Sequence, residues 1–190
     1  NNLEKNYSIL HKNKKIKIMK DILKGLAYIH NRKPYSLIHR DIKPTNILLT
    51  NSKVAKITDF GLSKFANIYR NNSNDNLTNL DNSTQPNQSE LYKKLTDDLT
   101  SFVGTERYMA PESINTTNYS NKVDIYSLGI VFYELFEKRR YNSDIGFKWF
   151  YTKKPIRDII QNDMVISDPN KRLSGLSLLK KINLLYSNYL

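Results

Sequence analysis

The chain has 190 residues, 39% of them hydrophobic and 25% charged, with 30 Lys and Arg against 18 Asp and Glu for a net charge of +12. That suits a folded domain with a real core and argues against wholesale disorder. Cysteine is absent, which excludes disulfides, thiolate metal sites and cysteine nucleophiles. No stretch approaches the ~20 apolar residues of a membrane helix. The most apolar run, 125–136, carries Ser127 and Glu134. The first residues hold neither an apolar signal-peptide core nor an initiator Met, so a piece of a longer product is expected, with cytoplasm as the default compartment. The basic residues fall in short clusters such as Lys138-Arg139-Arg140, Lys153-Lys154 and Lys180-Lys181, scattered along the chain. They read as solvated faces, and no nucleic-acid partner is expected.

In chain order, residues 16–30 place apolar side chains at 16, 19, 22, 23, 26 and 29, which predicts an amphipathic helix. Two β-like runs follow, 46–50 and 54–58, separated by Asn51-Ser52-Lys53, and predict one hairpin. From about 67 to 89 the composition turns to Asn, Ser, Thr, Asp and Gln, which predicts a disordered insertion. The run 123–137 is apolar nearly all round and predicts a buried central helix. Residues 155–165 and 174–185 predict two more amphipathic helices, the second capped by Ser174. The expected fold is mainly α with a small β hairpin.

The chemistry concentrates in His39-Arg40-Asp41-Ile42-Lys43-Pro44-Thr45-Asn46, which has the H-R-D-x-K-x-x-N pattern of a phosphotransfer loop. Asp59-Phe60-Gly61 follows the hairpin, and Ala110-Pro111-Glu112 follows the Asn-rich stretch. Gly104-Thr105-Glu106-Arg107-Tyr108-Met109, Asp124-Ile125-Tyr126-Ser127-Leu128-Gly129 and Asp168-Pro169-Asn170-Lys171-Arg172 complete an ordered set. Over about residues 3–187 the chain resembles the larger, C-terminal lobe of a eukaryotic-type serine/threonine protein kinase.

The resemblance implies a single partial kinase domain over 1–190, with the 67–89 insertion inside its activation segment. It implies transfer of the ATP γ-phosphate to Ser/Thr hydroxyls of protein substrates, with ATP and Mg²⁺ as cofactors. Phosphoryl transfer needs positioning and charge neutralisation more than covalent help. Asp41 is the expected catalytic base, accepting the substrate hydroxyl's proton. Lys43 is the expected catalytic partner and nucleotide contact, an ammonium within reach of the transferred phosphate. Asn46 and Asp59 are the expected metal and cofactor ligands, because Mg²⁺ prefers hard oxygen donors shared with nucleotide phosphates. Lys43 with Pro44, and Thr105, point to serine/threonine rather than tyrosine specificity. Glu112 and Arg172 resemble a buried ion pair, Asp124 a buried acid that holds the catalytic loop, and His39 a packing residue. Arg40 suggests control by phosphate on Ser101 or Thr100.

Three departures qualify the resemblance. The 190 residues contain no G-x-G-x-x-G loop, no V-A-I-K-type lysine and no partner glutamate; the glycines at 25, 61, 104, 129, 146 and 175 stand singly. The expected piece therefore lacks the small lobe. The span from Gly61 to Ala110 is long, and residues 137–151 are basic and aromatic where a docking helix is usual in the family. The alternative reading is a non-catalytic, pseudokinase-like protein-binding module, and a third is a basic nucleic-acid-binding domain.

Overall fold

The computed structural model describes residues 2–67, 106–115 and 119–187. The insertion read at 67–89, apart from Asn67, and the residues Thr100, Ser101, Gly104 and Thr105 lie outside the described residues. Helix α1 spans Lys12–His30 and buries Ile16, Met19, Ile22, Leu23, Leu26 and Ile29 on the predicted face. It begins before the apolar pattern does. Lys15 lays its stem in the core and donates from Nζ to the Leu135 carbonyl at 2.6 Å, so a charged residue extends the buried stripe. The helix ends where Asn31 turns both its backbone N–H and its Nδ2 onto the Ala27 carbonyl, at 3.1 and 2.7 Å.

Strands β1 (Tyr35–Ile38), β2 (Ile47–Leu49), β3 (Ala55–Ile57) and β4 (Lys64–Asn67) form two antiparallel ribbons. The β2–β3 hairpin is the predicted one, with Ile47 opposite Ile57 and Leu49 opposite Ala55. Its turn puts Lys53 in the left-handed region at φ 60°, held by the Lys53 N–H on the Thr50 carbonyl and by Thr50 Oγ1 accepting the Val54 N–H. The β1–β4 ribbon corrects the expectation of a single hairpin: Tyr35 faces Asn67 and Ile38 faces Lys64. Each of its strands is four residues long, too short for a clear period-2 signal. Their pairing is long-range, so no local turn announces it. The consequence is functional. The loop 39–46 is clamped between β1 and β2, and the chain after Asp59 is drawn back beside it.

Helix α2 (Pro111–Asn115) is short. Helix α3 (Lys122–Glu137) is buried along nearly its whole length, as its apolar circumference predicts. Helix α4 (Lys154–Ile159) runs on as a π-helical turn, Ile160–Met164, so the single helix read at 155–165 changes pitch half-way. Helix α5 (Gly175–Leu185) starts at Ser174, whose Oγ accepts the Ser177 N–H at 3.1 Å. One principal cluster gathers α1, α3, α4, α5 and the β2–β3 hairpin around Ile18, Leu128, Phe132, Leu178 and Ile182. Among the described residues no helix is long and apolar enough to cross a membrane.

Candidate active site

The loop 39–46 follows β1 directly and enters β2 through a 3₁₀ turn, Pro44–Asn46. Its backbone is under strain at Arg40, where φ is 72°. A left-handed non-glycine residue costs ~1–2 kcal/mol and persists only where its surroundings impose it. Asp124, on the first turn of α3, imposes it. Its Oδ2 accepts the His39 N–H and its Oδ1 the Arg40 N–H, each at 2.8 Å. A third contact, from His30 Nε2 at the end of α1, reaches Oδ2 at 2.8 Å. A wholly buried carboxylate thereby ties together α1, α3 and the loop.

Within the loop three polar side chains converge. Asp41 Oδ2 accepts from Lys43 Nζ and from Asn46 Nδ2, both at 2.8 Å. Asn46 Nδ2 also donates to the Asp41 carbonyl at 2.9 Å, which closes the loop on itself. The other carboxylate oxygen, Asp41 Oδ1, is buried and has no hydrogen-bond partner. A carboxylate oxygen in that state is costly unless something else is to meet it.

Asp59 lies one residue beyond the junction where Thr58 N–H and Oγ1 both bond the Asn46 carbonyl, at 2.9 and 3.2 Å. It too is left-handed, at φ 63°, a conformation that Asp tolerates better than most residues. Its Oδ1 accepts the Gly61 N–H at 3.3 Å, and the residue is exposed. The structure thus brings Asp41, Lys43 and Asn46 into direct contact and sets Asp59 at the end of the strand beside them. His39 is fully buried, its Nε2 at 3.0 Å from the Thr58 carbonyl and its ring packed edge-on to Phe60 at 4.8 Å. That is a packing position.

The donor set suits a hard cation in part. Both hydrogens of the Asn46 amide are spent on Asp41, which leaves its oxygen for a donor or a cation, and Asp59 offers an exposed carboxylate. Among the described residues no group of three His, Cys, Asp or Glu side chains forms a metal cage. Mg²⁺ is ordinarily held by one or two protein oxygens with substrate phosphates and water.

Around this centre, Glu112 Oε1 and Oε2 accept from Arg172 Nη1 and Nη2 at 2.6 and 2.8 Å. Tyr108 donates from its hydroxyl to Glu134 Oε2 at 2.9 Å, and its carbonyl accepts from Ser127 Oγ at 2.7 Å. Burial pushes the Glu134 carboxyl above its ordinary value, against the pull of the Tyr141 N–H and the Tyr108 hydroxyl. Both contacts pin the segment around the Ala-Pro-Glu triplet to α3 and to the turn before α5.

The protein kinase domain family matches residues 1–183. The chain belongs to the protein kinase family. Among similar proteins, serine/threonine-protein kinase VIK of Arabidopsis thaliana is 32% identical over 180 residues, 85% of this chain and 35% of that protein. Probable serine/threonine-protein kinase ifkA of Dictyostelium discoideum is 35% identical over 190 residues, 86% of this chain and 8% of that protein. Mitogen-activated protein kinase kinase 1 of Arabidopsis is 41% identical over 117 residues, 62% of this chain and 25% of that protein. The chain therefore spans about a third or less of the length of these relatives.

Four residues of this kinase loop's support escaped the sequence reading. His30 looked like the last residue of an amphipathic helix, and its placement at a helix end near a buried acid is visible only in three dimensions. Thr58 accepts from His39 and bonds Asn46, yet in sequence it is one more β-branched strand residue. Ser63 donates to the His39 carbonyl at 3.4 Å, and Tyr119 lies beneath the Arg40 guanidinium at 5.8 Å. No spacing rule marks either one.

Proposed function

We propose that residues 1–190 are the large lobe of a serine/threonine protein kinase, with Asp41 as the base that receives the proton of a substrate Ser or Thr hydroxyl. The observation that carries this reading is the Asp41 carboxylate itself. One oxygen is fixed by Lys43 and Asn46, and the other is buried without a partner. An oxygen so prepared accepts an incoming hydroxyl at no cost in reorganisation. Lys43 orients the carboxylate and presents its ammonium where phosphate oxygens develop charge. Asn46 and Asp59 are the oxygen ligands for Mg²⁺, which neutralises charge on nucleotide phosphates when bound. The names of the VIK and ifkA relatives favour serine and threonine as acceptors, in agreement with Lys43-Pro44. The 67–89 stretch is an insertion in the activation segment, and phosphate on Ser101 or Thr100 is the partner for Arg40.

These 190 residues hold no glycine-rich cover for the β- and γ-phosphates. Positioning supplies most of the rate in phosphoryl transfer, so this lobe alone turns over negligibly. The test measures phosphate transfer from ATP with Mg²⁺ to a generic Ser/Thr substrate, for residues 1–190 and for the longest gene product that contains them, each beside Asp41→Asn. Activity confined to the longer product and lost in Asp41→Asn is expected. Turnover of ~1–100 s⁻¹ by residues 1–190 would overturn the lobe assignment. Activity of the longer product indifferent to Asp41→Asn would overturn the base, and an inert longer product that binds protein partners would favour the non-catalytic module.

A further inference from the structure

Residues 1–56 hold 13 lysines and arginines against three acids, Glu4, Asp21 and Asp41, so most of the net charge of +12 arises there. The fold lays part of this charge along one surface. Lys17, Lys24 and Tyr28 are spaced by seven and four residues, which puts them in line on the outer face of α1, away from the core. All three are exposed, Tyr28 by 71%. Beyond the helix end Arg32 and Lys33 are exposed too, and Tyr35 then opens β1, which packs against α1. Tyr35 is 42% exposed and meets the 58% exposed Phe65 edge-on at 6.4 Å. No acid occurs between Asp21 and Asp41. Asp21 itself is engaged: its Oδ2 accepts the Ala55 N–H at 3.3 Å and lies 3.6 Å from Lys17 Nζ.

Three large rings held in water among cations add nothing to the core. We propose that Lys17, Lys24, Tyr28, Arg32, Lys33 and Tyr35 form a surface that adsorbs to an anionic lipid bilayer. Charge complementarity selects the partner. A lysine or arginine near an anionic leaflet strengthens binding by about fivefold. A tyrosine sits at headgroup depth, its ring against the apolar region and its hydroxyl in water. Shape selects the same partner. Lys17 to Tyr28 run along ~16 Å of a convex helix face, which a plane can meet along its crest. A single-stranded nucleic acid asks for a groove whose cations track its backbone, and a helix crest is no groove. The proposal does not depend on phosphotransfer, because none of these residues belongs to the loop 39–46.

Co-sedimentation of the 190-residue chain with lipid vesicles, without ATP, tests it. The vesicles are phosphatidylcholine alone, or phosphatidylcholine with about a third phosphatidylserine. Binding to the second kind and not the first is expected, weaker by about tenfold or more at ~0.5 M salt. Arg32→Glu with Lys33→Glu should weaken it by about tenfold or more at unchanged melting temperature. Lys153→Glu with Lys154→Glu, the same change of net charge elsewhere on the fold, should leave most of it. Tyr28→Ser with Tyr35→Ser should weaken it severalfold. Equal losses from the two charge reversals would reduce the effect to overall charge and overturn the proposal. So would wild-type binding by the tyrosine variant, equal binding to both kinds of vesicle, or no binding to either. An oligouridine, or a peptide of Asp and Glu, that binds through Arg32 and Lys33 when the vesicles do not would likewise overturn it, in favour of a nucleic acid or an acidic protein.

Discussion

Two buried charges show how differently one kind of cost is met. Asp124 loses its water but gains two backbone N–H groups and a histidine, all at 2.8 Å, and these bonds hold Arg40 in a strained conformation within the loop 39–46. Lys15 is only 4% exposed and has one strong acceptor, the Leu135 carbonyl, with the Phe136 ring 5.9 Å away. Burial and then the charge of Lys138 pull its ammonium down to about 8 from 10.5, with Glu137 opposing. A lysine with a lowered folded value burdens the fold while both states are protonated, below pH 8. The burden lifts as pH rises from 8 towards 10.5, because there the unfolded chain binds more protons than the folded one. The unfolding free energy of the wild type should therefore gain about 2 kcal/mol on that of Lys15→Met across this window. Urea titrations of both proteins at several pH values check it; a constant difference would show that the ammonium is not burdened.

Packing between elements turns on glycine at one place. A Cβ added to Gly129 on α3 would stand 2.5 Å from Val165 Cγ2 and 3.0 Å from Met164 Cβ, at the end of the π-helical turn that follows α4. The close approach of these elements thus requires an absent side chain, and the change of pitch at Ile160–Met164 delivers Val165 to that gap. Gly129→Ala should cost ~1–3 kcal/mol by overpacking, despite the better helix propensity of alanine. Val165→Ala removes the nearest obstacle, so the double variant should be more stable than the sum of the two single changes allows. Denaturant midpoints for the four proteins measure that coupling. Additive losses would mean that the contact yields freely.

The molecule as a whole is fastened by Arg172, which reaches from the turn before α5 to Glu112 on α2. Its buried guanidinium also donates to the carbonyls of Ile166, Lys122 and Ser167 and lies 5.0 Å over the Tyr126 ring. Glu112→Ala keeps the cation buried and removes its only carboxylate partner among the described residues, which should cost ~3–5 kcal/mol. Glu112→Leu combined with Arg172→Met should cost less than Glu112→Ala alone, because it strands no charge. Urea unfolding of these variants decides; a loss below ~1 kcal/mol for Glu112→Ala would reduce the pair to a surface contact.

The sequence by itself located the long helices α1, α3 and α5, the helical run that begins with α4, and the β2–β3 hairpin, because periodicity over ten or more residues and a polar turn between apolar runs are local properties. The five-residue α2 and the change of pitch after α4 carry no such pattern. The candidates Asp41, Lys43, Asn46 and Asp59 came from motifs and the resemblance they carry; the first three share one short loop, where the structure brings them into contact. The Glu112–Arg172 pair and the Asp124 anchor were legible through resemblance, as ordered motifs far apart in the chain. Tertiary structure alone decided the β1–β4 ribbon, the roles of His30 and Thr58, and the meeting of Tyr35 with Phe65 in solvent. Each of these joins short or unremarkable segments across long stretches of chain. The energy of such a contact depends on which groups are buried together, and no local pattern records that.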